Sequence, residues 1–244
     1  MKLIFLSPHL DDAVYSCGGL IHSRLKHGDT VEVWTVCTAD PPGTTLSPFA
    51  QLLHARWGEN HNPIAVRRQE DQTALKSLNC PWRHLGFLDC IYREHPFDHQ
   101  PLIRKDEDLF PVNPPPESGL IERIAEAFRV HHSSEGILVA PLGVGRHIDH
   151  LNTRLAAESF NCPLWYYADF PYAARNPQQL KGTIPVGARE IQHTLDDEDR
   201  LAWQEGIASY RSQLSSFWSS IDQMKLAVEL YSRQPFALTL WQTG

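Results

Sequence analysis

A chain of 244 residues, 42% of them hydrophobic, can bury one large core, so a single domain over 1–244 is the expectation. The 22 basic and 29 acidic residues give a formal charge of -7, which argues against nucleic acid or an anionic membrane as partner and for a small neutral or cationic molecule. The five cysteines (Cys17, Cys37, Cys80, Cys90, Cys162) form no C-x-x-C pair, which speaks against a disulfide framework or a thiolate zinc site; reduced thiols in a cytoplasmic protein are expected.

Leu3 to Leu6 reads as a first strand, and its apolar run is too short for a signal peptide or a membrane span. Leu20, Ile21 and Leu25 give Gly18 to Lys26 a helical face, with His27-Gly28 as a stop. Val31 to Val36 is the second strand, Val66 to Leu78 a helix ended by Asn79-Cys80-Pro81, and His84 to Leu88 a third strand. Leu120 to Val130 is an amphipathic helix, and Gly136 to Ala140 a strand buried on both faces. A helix over Asp149 to Phe160 and a strand over Leu164 to Tyr167 continue the alternation. The remainder predicts helices over Asp196 to Trp218 and Met224 to Ser232 and a closing strand over Phe236 to Trp241.

Alternation of this kind predicts an α/β, Rossmann-like three-layer fold with a mostly parallel central sheet flanked by helices. Two stretches, 40–63 and 93–116, resist assignment; segments this long are functional lids or disordered, and their aromatic residues favour order.

His9, Asp11 and Asp12 follow the first predicted strand, at the edge where parallel sheets place ligands. An imidazole and a carboxylate three positions apart can share one ion, leaving the carboxylate between them to handle a proton. His147-Ile148-Asp149-His150 follows Gly136 to Ala140 in the same way. Alone, either motif has a bland explanation, a helix cap or a chance H-x-x-H. Together, His9, Asp12 and His150 offer two nitrogens and one oxygen with a fourth position left open, the count of a catalytic zinc site.

Pro8-His9-Leu10-Asp11-Asp12 and His147-Ile148-Asp149-His150 resemble the two motifs of the LmbE/PIG-L family of zinc-dependent N-deacetylases. The resemblance extends to Cys17-Gly18-Gly19, Arg67 to Glu70, Leu85 to Asp89 and Tyr210 to Gln213. It implies that His9, Asp12 and His150 hold Zn2+ or another divalent metal and that Asp11 is the general base. His147 then steadies the oxyanion or protonates the amine, Asp149 orients a histidine, and Asp89 and Arg67 contact the substrate, an N-acyl amino sugar or glycoconjugate. Leu10 stands where the family has proline, and Ala13 where many members have glutamate.

Arg68 belongs to a solvated helix face, and His131-His132 to a helix end. His95 and His99 read as exposed loop histidines, and Gly143-Val144-Gly145 as a turn and not a phosphate loop. Trp57, Phe97 and Phe110 either rim the site or anchor loops. A hydratase or lyase acting on a small carboxylated substrate, or a non-catalytic sugar-binding protein, is the alternative function, and a homo-oligomer is left open.

Overall fold

The computed structural model describes residues 1–43, 45–58, 62–132, 135–160 and 162–243. Among these residues seven strands, β1 (Lys2–Ser7), β2 (Thr30–Cys37), β3 (Trp82–Phe87), β4 (Gly136–Pro141), β5 (Leu164–Tyr167), β6 (Arg189–Gln192) and β7 (Thr239–Gln242), form one sheet in the order β3-β2-β1-β4-β5-β7-β6. The pairs from β3 to β5 are parallel, and β7 runs antiparallel to both β5 and β6. The chain is thus the mostly parallel α/β fold that its alternation predicts. Leu3, Ile4, Phe5 and Leu6 of β1 are wholly buried, as a strand covered on both faces requires.

Five helices accompany the parallel strands: α1 (Asp12–Lys26), α2 (Pro48–Arg56), α3 (Pro63–Ser77), α4 (Ser118–His131) and α5 (Ile148–Glu158). Five more follow β5: α6 (Tyr172–Arg175), α7 (Pro177–Thr183), α8 (Asp197–Ala208), α9 (Arg211–Leu214) and α10 (Ile221–Ser232). The connection from β1 leads outward to β2, and the one from β4 leads the opposite way to β5. Right-handed crossovers therefore put α1 and α5 on opposite faces. In agreement, α1, α3 and α10 pack around α8, whereas α4 packs on α5.

Several boundaries differ from the sequence reading. Helix α1 begins at Asp12, six residues before the expected Gly18, because its first turns bury Ala13, Val14 and Tyr15 and carry no polar face for periodicity to register. The helix expected over 196–218 breaks into α8 and α9 around Ser209 and Tyr210, and Tyr210 is fully buried there. The closing strand starts three residues late, and β6 was not expected at all; its outward residues give it little apolar signal.

The two unassigned stretches are ordered where described, although residues 44 and 59–61 of the first lie outside the described residues. Helix α2 forms within 40–63, with Ser47 capping it by accepting from Ala50 N at 3.1 Å. Phe49, Leu53 and Trp57 from this stretch, and Ile103 from 93–116, enter a second small core with Leu10, Ile91 and Ile148. Leu10 therefore has a packing role in place of the family's proline. No helix among the described residues is long and apolar enough to cross a membrane.

Candidate active site

The strand order reverses between β1 and β4, so the loops leaving their carboxyl ends diverge and open a crevice. His9 to Asp12 leave β1 and His147 to His150 leave β4; Asp89 follows β3 and Asp169 follows β5. Ser7, the last residue of β1, shapes the first loop: its hydroxyl donates to His9 O at 2.6 Å and accepts from Ala13 N at 2.9 Å. Asp11 precedes α1 without making a side-chain cap bond, which leaves its carboxylate for the cleft. At α5, His147 Nδ1 accepts from Asp149 N at 3.3 Å, so this imidazole caps the helix with one nitrogen and keeps the other free.

The two motifs converge. Asp12 Oδ2 lies 3.0 Å from His9 Nδ1 and 3.2 Å from His150 Nε2. The remaining nitrogen of each histidine meets a buried carboxylate, His9 Nε2 with Asp149 Oδ2 at 3.1 Å and His150 Nδ1 with Asp169 Oδ1 at 2.7 Å. His147 stands edge-on to His9 with ring centroids 4.8 Å apart, and donor atoms of His9, His147 and His150 lie within 4.8 Å of one another.

Electrostatics follows from five carboxylates in a small volume, Asp11, Asp12, Asp89, Asp149 and Asp169. Burial would lower the His9 pKa, but the Asp89 charge and hydrogen bonds to Asp12 and Asp149 hold it well above the usual value. His150, also buried, is carried to about 9 by Asp12 and Asp169. Burial would raise Asp12, yet His150 and His9 keep it well below the ordinary carboxylate range. Asp11 goes the other way: burial and the neighbouring Asp12 charge raise it to about 7, with Arg67 opposing. His147 is pushed well below the usual value by burial and by the two adjacent imidazoles. A neutral His147 whose Nδ1 accepts must carry its proton on Nε2, ready to donate into the cleft.

Two imidazoles and one carboxylate oxygen, each imidazole backed by a second carboxylate, match the donor set and surroundings of a divalent metal. An anionic pocket of this kind also compensates a cation. The residues present therefore fit a divalent ion: His9, His147 and His150 bring donor atoms into one group, and Asp12 Oδ2 lies between His9 and His150.

Arg67 is 5% exposed, and its guanidinium lies across from Asp11 Oδ2 at 3.7 Å and Asp89 Oδ2 at 4.0 Å, beyond hydrogen-bond reach. Its Nε has no partner among the described residues, and its charge sits 4.8 Å over the Trp57 ring. Asp89 Oδ1 accepts from Ile91 N at 3.2 Å, leaving Oδ2 toward His9 and Arg67. Arg67 thus lies between the Asp11 and Asp89 carboxylates. Arg68 is not merely solvated: it donates to Thr38 O at 2.8 Å and pairs with Asp40.

Of the three aromatic rim candidates, Phe110 reaches the site, with its ring edge-on to His147 at 5.4 Å. Trp57 is buried beneath Arg67, and Phe97 is 96% exposed. His95 and His99 are exposed, as expected. Two charged residues at the site were missed by the sequence reading, Asp169 and Arg93. The signal for Asp169 was its place two residues past a predicted strand; Arg93 opened a stretch without pattern.

Comparison with known proteins places the chain among deacetylases. The family model described as GlcNAc-PI de-N-acetylase (PIG-L) matches residues 4–161. A 2'-N-acetylparomamine deacetylase of Niallia circulans is 28% identical over 199 residues, 73% of this chain and 70% of that one. The enzyme of the same description from Streptomyces fradiae is 27% identical over 228 residues, covering 87% and 73%. Among solved structures, the zinc-inhibited form of a teicoplanin deacetylase superposes with a TM-score of 0.80 at 28% identity, over 99% of this chain and 97% of that chain.

Proposed function

This chain belongs to the PIG-L family, and we propose from that premise that it hydrolyses the amide of an N-acetylated amino sugar carried on a glycoconjugate or aminoglycoside-like molecule. The observation that carries the reading is the shared approach of His9 Nδ1 and His150 Nε2 to Asp12 Oδ2, with Asp11 and His147 at its side. Its relatives' names supply the acetylated sugar.

A divalent ion, with Zn2+ the first choice, would supply Lewis-acid polarisation of the acyl oxygen and a more acidic water. Asp11, poised near neutrality, takes a proton from the water as its oxygen bonds to the carbonyl carbon. The Nε2–H of His147 donates to the oxyanion. When the tetrahedral species collapses, the carbon–nitrogen bond breaks, Asp11 returns its proton to the departing amine, and acetate and free amino sugar leave. Asp89 and Arg67, whose Nε has no partner among the described residues, would contact sugar hydroxyls.

The hydratase alternative needs clustered basic residues for a carboxylated substrate. Arg93 is committed to Asp149 and Glu117, so it gives that reading little support. A panel of N-acetylated amino sugars, free and conjugated, assayed for released acetate with metal-loaded protein is the test. Acetate release abolished in Asp11→Asn is the expected result; no release from any member would reject the proposal.

A further inference from the structure

We propose that Arg93 is a positioning residue of the candidate metal centre: by clamping Asp149 it keeps His9 turned so that Nδ1, and not Nε2, faces the ion. The inference rests on the metal-holding part of the function proposed above and not on the identity of its substrate.

Asp149 is 2% exposed, and both of its oxygens are engaged. Oδ2 accepts from Cys90 N at 2.9 Å and meets His9 Nε2 at 3.1 Å. Oδ1 meets Arg93 Nη1 at 2.6 Å, an ion pair lying off the hydrogen-bonding line. Arg93 is fixed from two other sides. Its Nη1 donates to Leu88 O at 3.0 Å, and Nε and Nη2 grip Glu117 at 3.0 and 2.8 Å. Glu117 is held in turn by Asn152 Nδ2 at 2.8 Å. A planar guanidinium spreads its donors over three nitrogens in a rigid fork and so reaches partners on separate sides, whereas the donors of an ammonium converge on one nitrogen.

The clamp matters because Asp149 is itself a potential ligand. Its oxygens lie within 4.8 Å of donor atoms in two other sets, one with His9 and Cys37 and one with Cys90 and His147. While Arg93 holds Oδ1 and two N–H groups occupy Oδ2, Asp149 acts as an acceptor. His9 then presents Nε2–H to Asp149, and in a loaded site the lone pair of Nδ1 would be directed to the ion beside Asp12. Without the guanidinium, Asp149 is a buried anion free to turn toward the thiols, and His9 loses its orienter.

The test compares wild type, Arg93→Met, Arg93→Lys, Asp149→Asn and the Arg93→Met/Asp149→Asn double variant. Zn2+ affinity is measured without substrate by competition with a chromogenic chelator, and folding is checked by circular dichroism. Arg93→Met should bind Zn2+ about 10–100-fold more weakly, the usual loss when a ligand's orienting partner is removed. The double variant should bind no more weakly than Asp149→Asn alone, since Arg93 acts through Asp149. At saturating Zn2+, kcat should fall while KM holds. Wild-type affinity in folded Arg93→Met, or losses that add in the double variant, would overturn the proposal. If Arg93→Met does not fold, Arg93→Lys decides: it keeps the charge without the three-way grip, so reduced affinity supports the clamp and wild-type affinity refutes it. Should wild type bind Zn2+ but release no acetate, the deacetylase reading falls while an affinity loss at Arg93 still upholds this one.

Discussion

His150 and Asp169 form a buried pair in which Nδ1 stands 2.7 Å from Oδ1, each side chain 2% exposed, while Asp169 Oδ2 also accepts from Val144 N at 2.9 Å. The carboxylate therefore ties a proposed metal ligand to the turn that precedes its own helix. Asp169→Ala should weaken Zn2+ binding by about 10–100-fold, as removal of a ligand's hydrogen-bonding partner does. Chelator competition measures this; unchanged affinity would take Asp169 out of the site.

Asp11→Asn keeps the shape of the side chain and removes its capacity to accept a proton. Zn2+ should remain bound, because His9, Asp12 and His150 are untouched. The kcat for acetate release should fall by about 10²–10⁴, the usual contribution of a general base. Metal content and turnover measured on one preparation separate the two effects. His150→Ala should release the ion, whereas His131→Ala, at the exposed end of α4, should not.

His147→Ala removes a neutral donor facing the cleft, so kcat should drop by roughly two to three orders of magnitude with little change in KM. Steady-state kinetics on the best substrate of the panel checks it. A rise in KM alone would assign His147 to substrate binding.

Metal-stripped protein should show a pH signature of Asp11. Its folded pKa of about 7 lies above the ordinary 3.8, through burial and the Asp12 charge. The folded state then holds the proton more tightly than the unfolded chain does. The stabilising contribution is complete below the ordinary carboxylate pKa, declines as pH rises, and is gone above about 7. Asp11→Asn lacks this titration. Thermal midpoints of the two stripped proteins should diverge in favour of the variant as pH rises toward 8 or so, and parallel curves would contradict the assignment.

Gly18 and Gly19 lie where α1 meets α8. A Cβ on Gly18 would sit 2.6 Å from Trp203 Cδ1, and one on Gly19 2.6 Å from Leu195 Cδ1. Trp203 has little freedom to yield, since its Nε1 donates to Val14 O and Tyr15 O at 2.8 and 3.0 Å. Gly18→Ala should therefore destabilise the fold by about 1–3 kcal/mol in spite of alanine's better helix propensity. Denaturant melts should register the loss with Zn2+ affinity unchanged.

The α/β class and the strands that carry the site were legible because strands buried on both faces leave unbroken apolar runs. Leu3 to Leu6 and Gly136 to Ala140 are such runs, and the polar motifs after them stand out by contrast. Helix α1 was legible only in its second half, since burial around its N-terminal turns erases the periodicity. The stretches 40–63 and 93–116 carried no readable pattern because their described residues are held by packing on Leu10 and Ile148 in the second core. Local propensity does not encode that support.

Local sequence by itself determined which residues could do chemistry: His9, Asp11 and Asp12 in one loop, His147, Asp149 and His150 in another, each at a strand end. Only the tertiary structure decided which nitrogen of each histidine faces Asp12. That choice belongs to Asp149, clamped by Arg93, and to Asp169 at the end of β5, through contacts between segments far apart in the chain. The reason is physical: a ring's orientation is set by whichever hydrogen-bond partner folding brings to its other nitrogen, and that partner leaves no trace in the neighbouring residues.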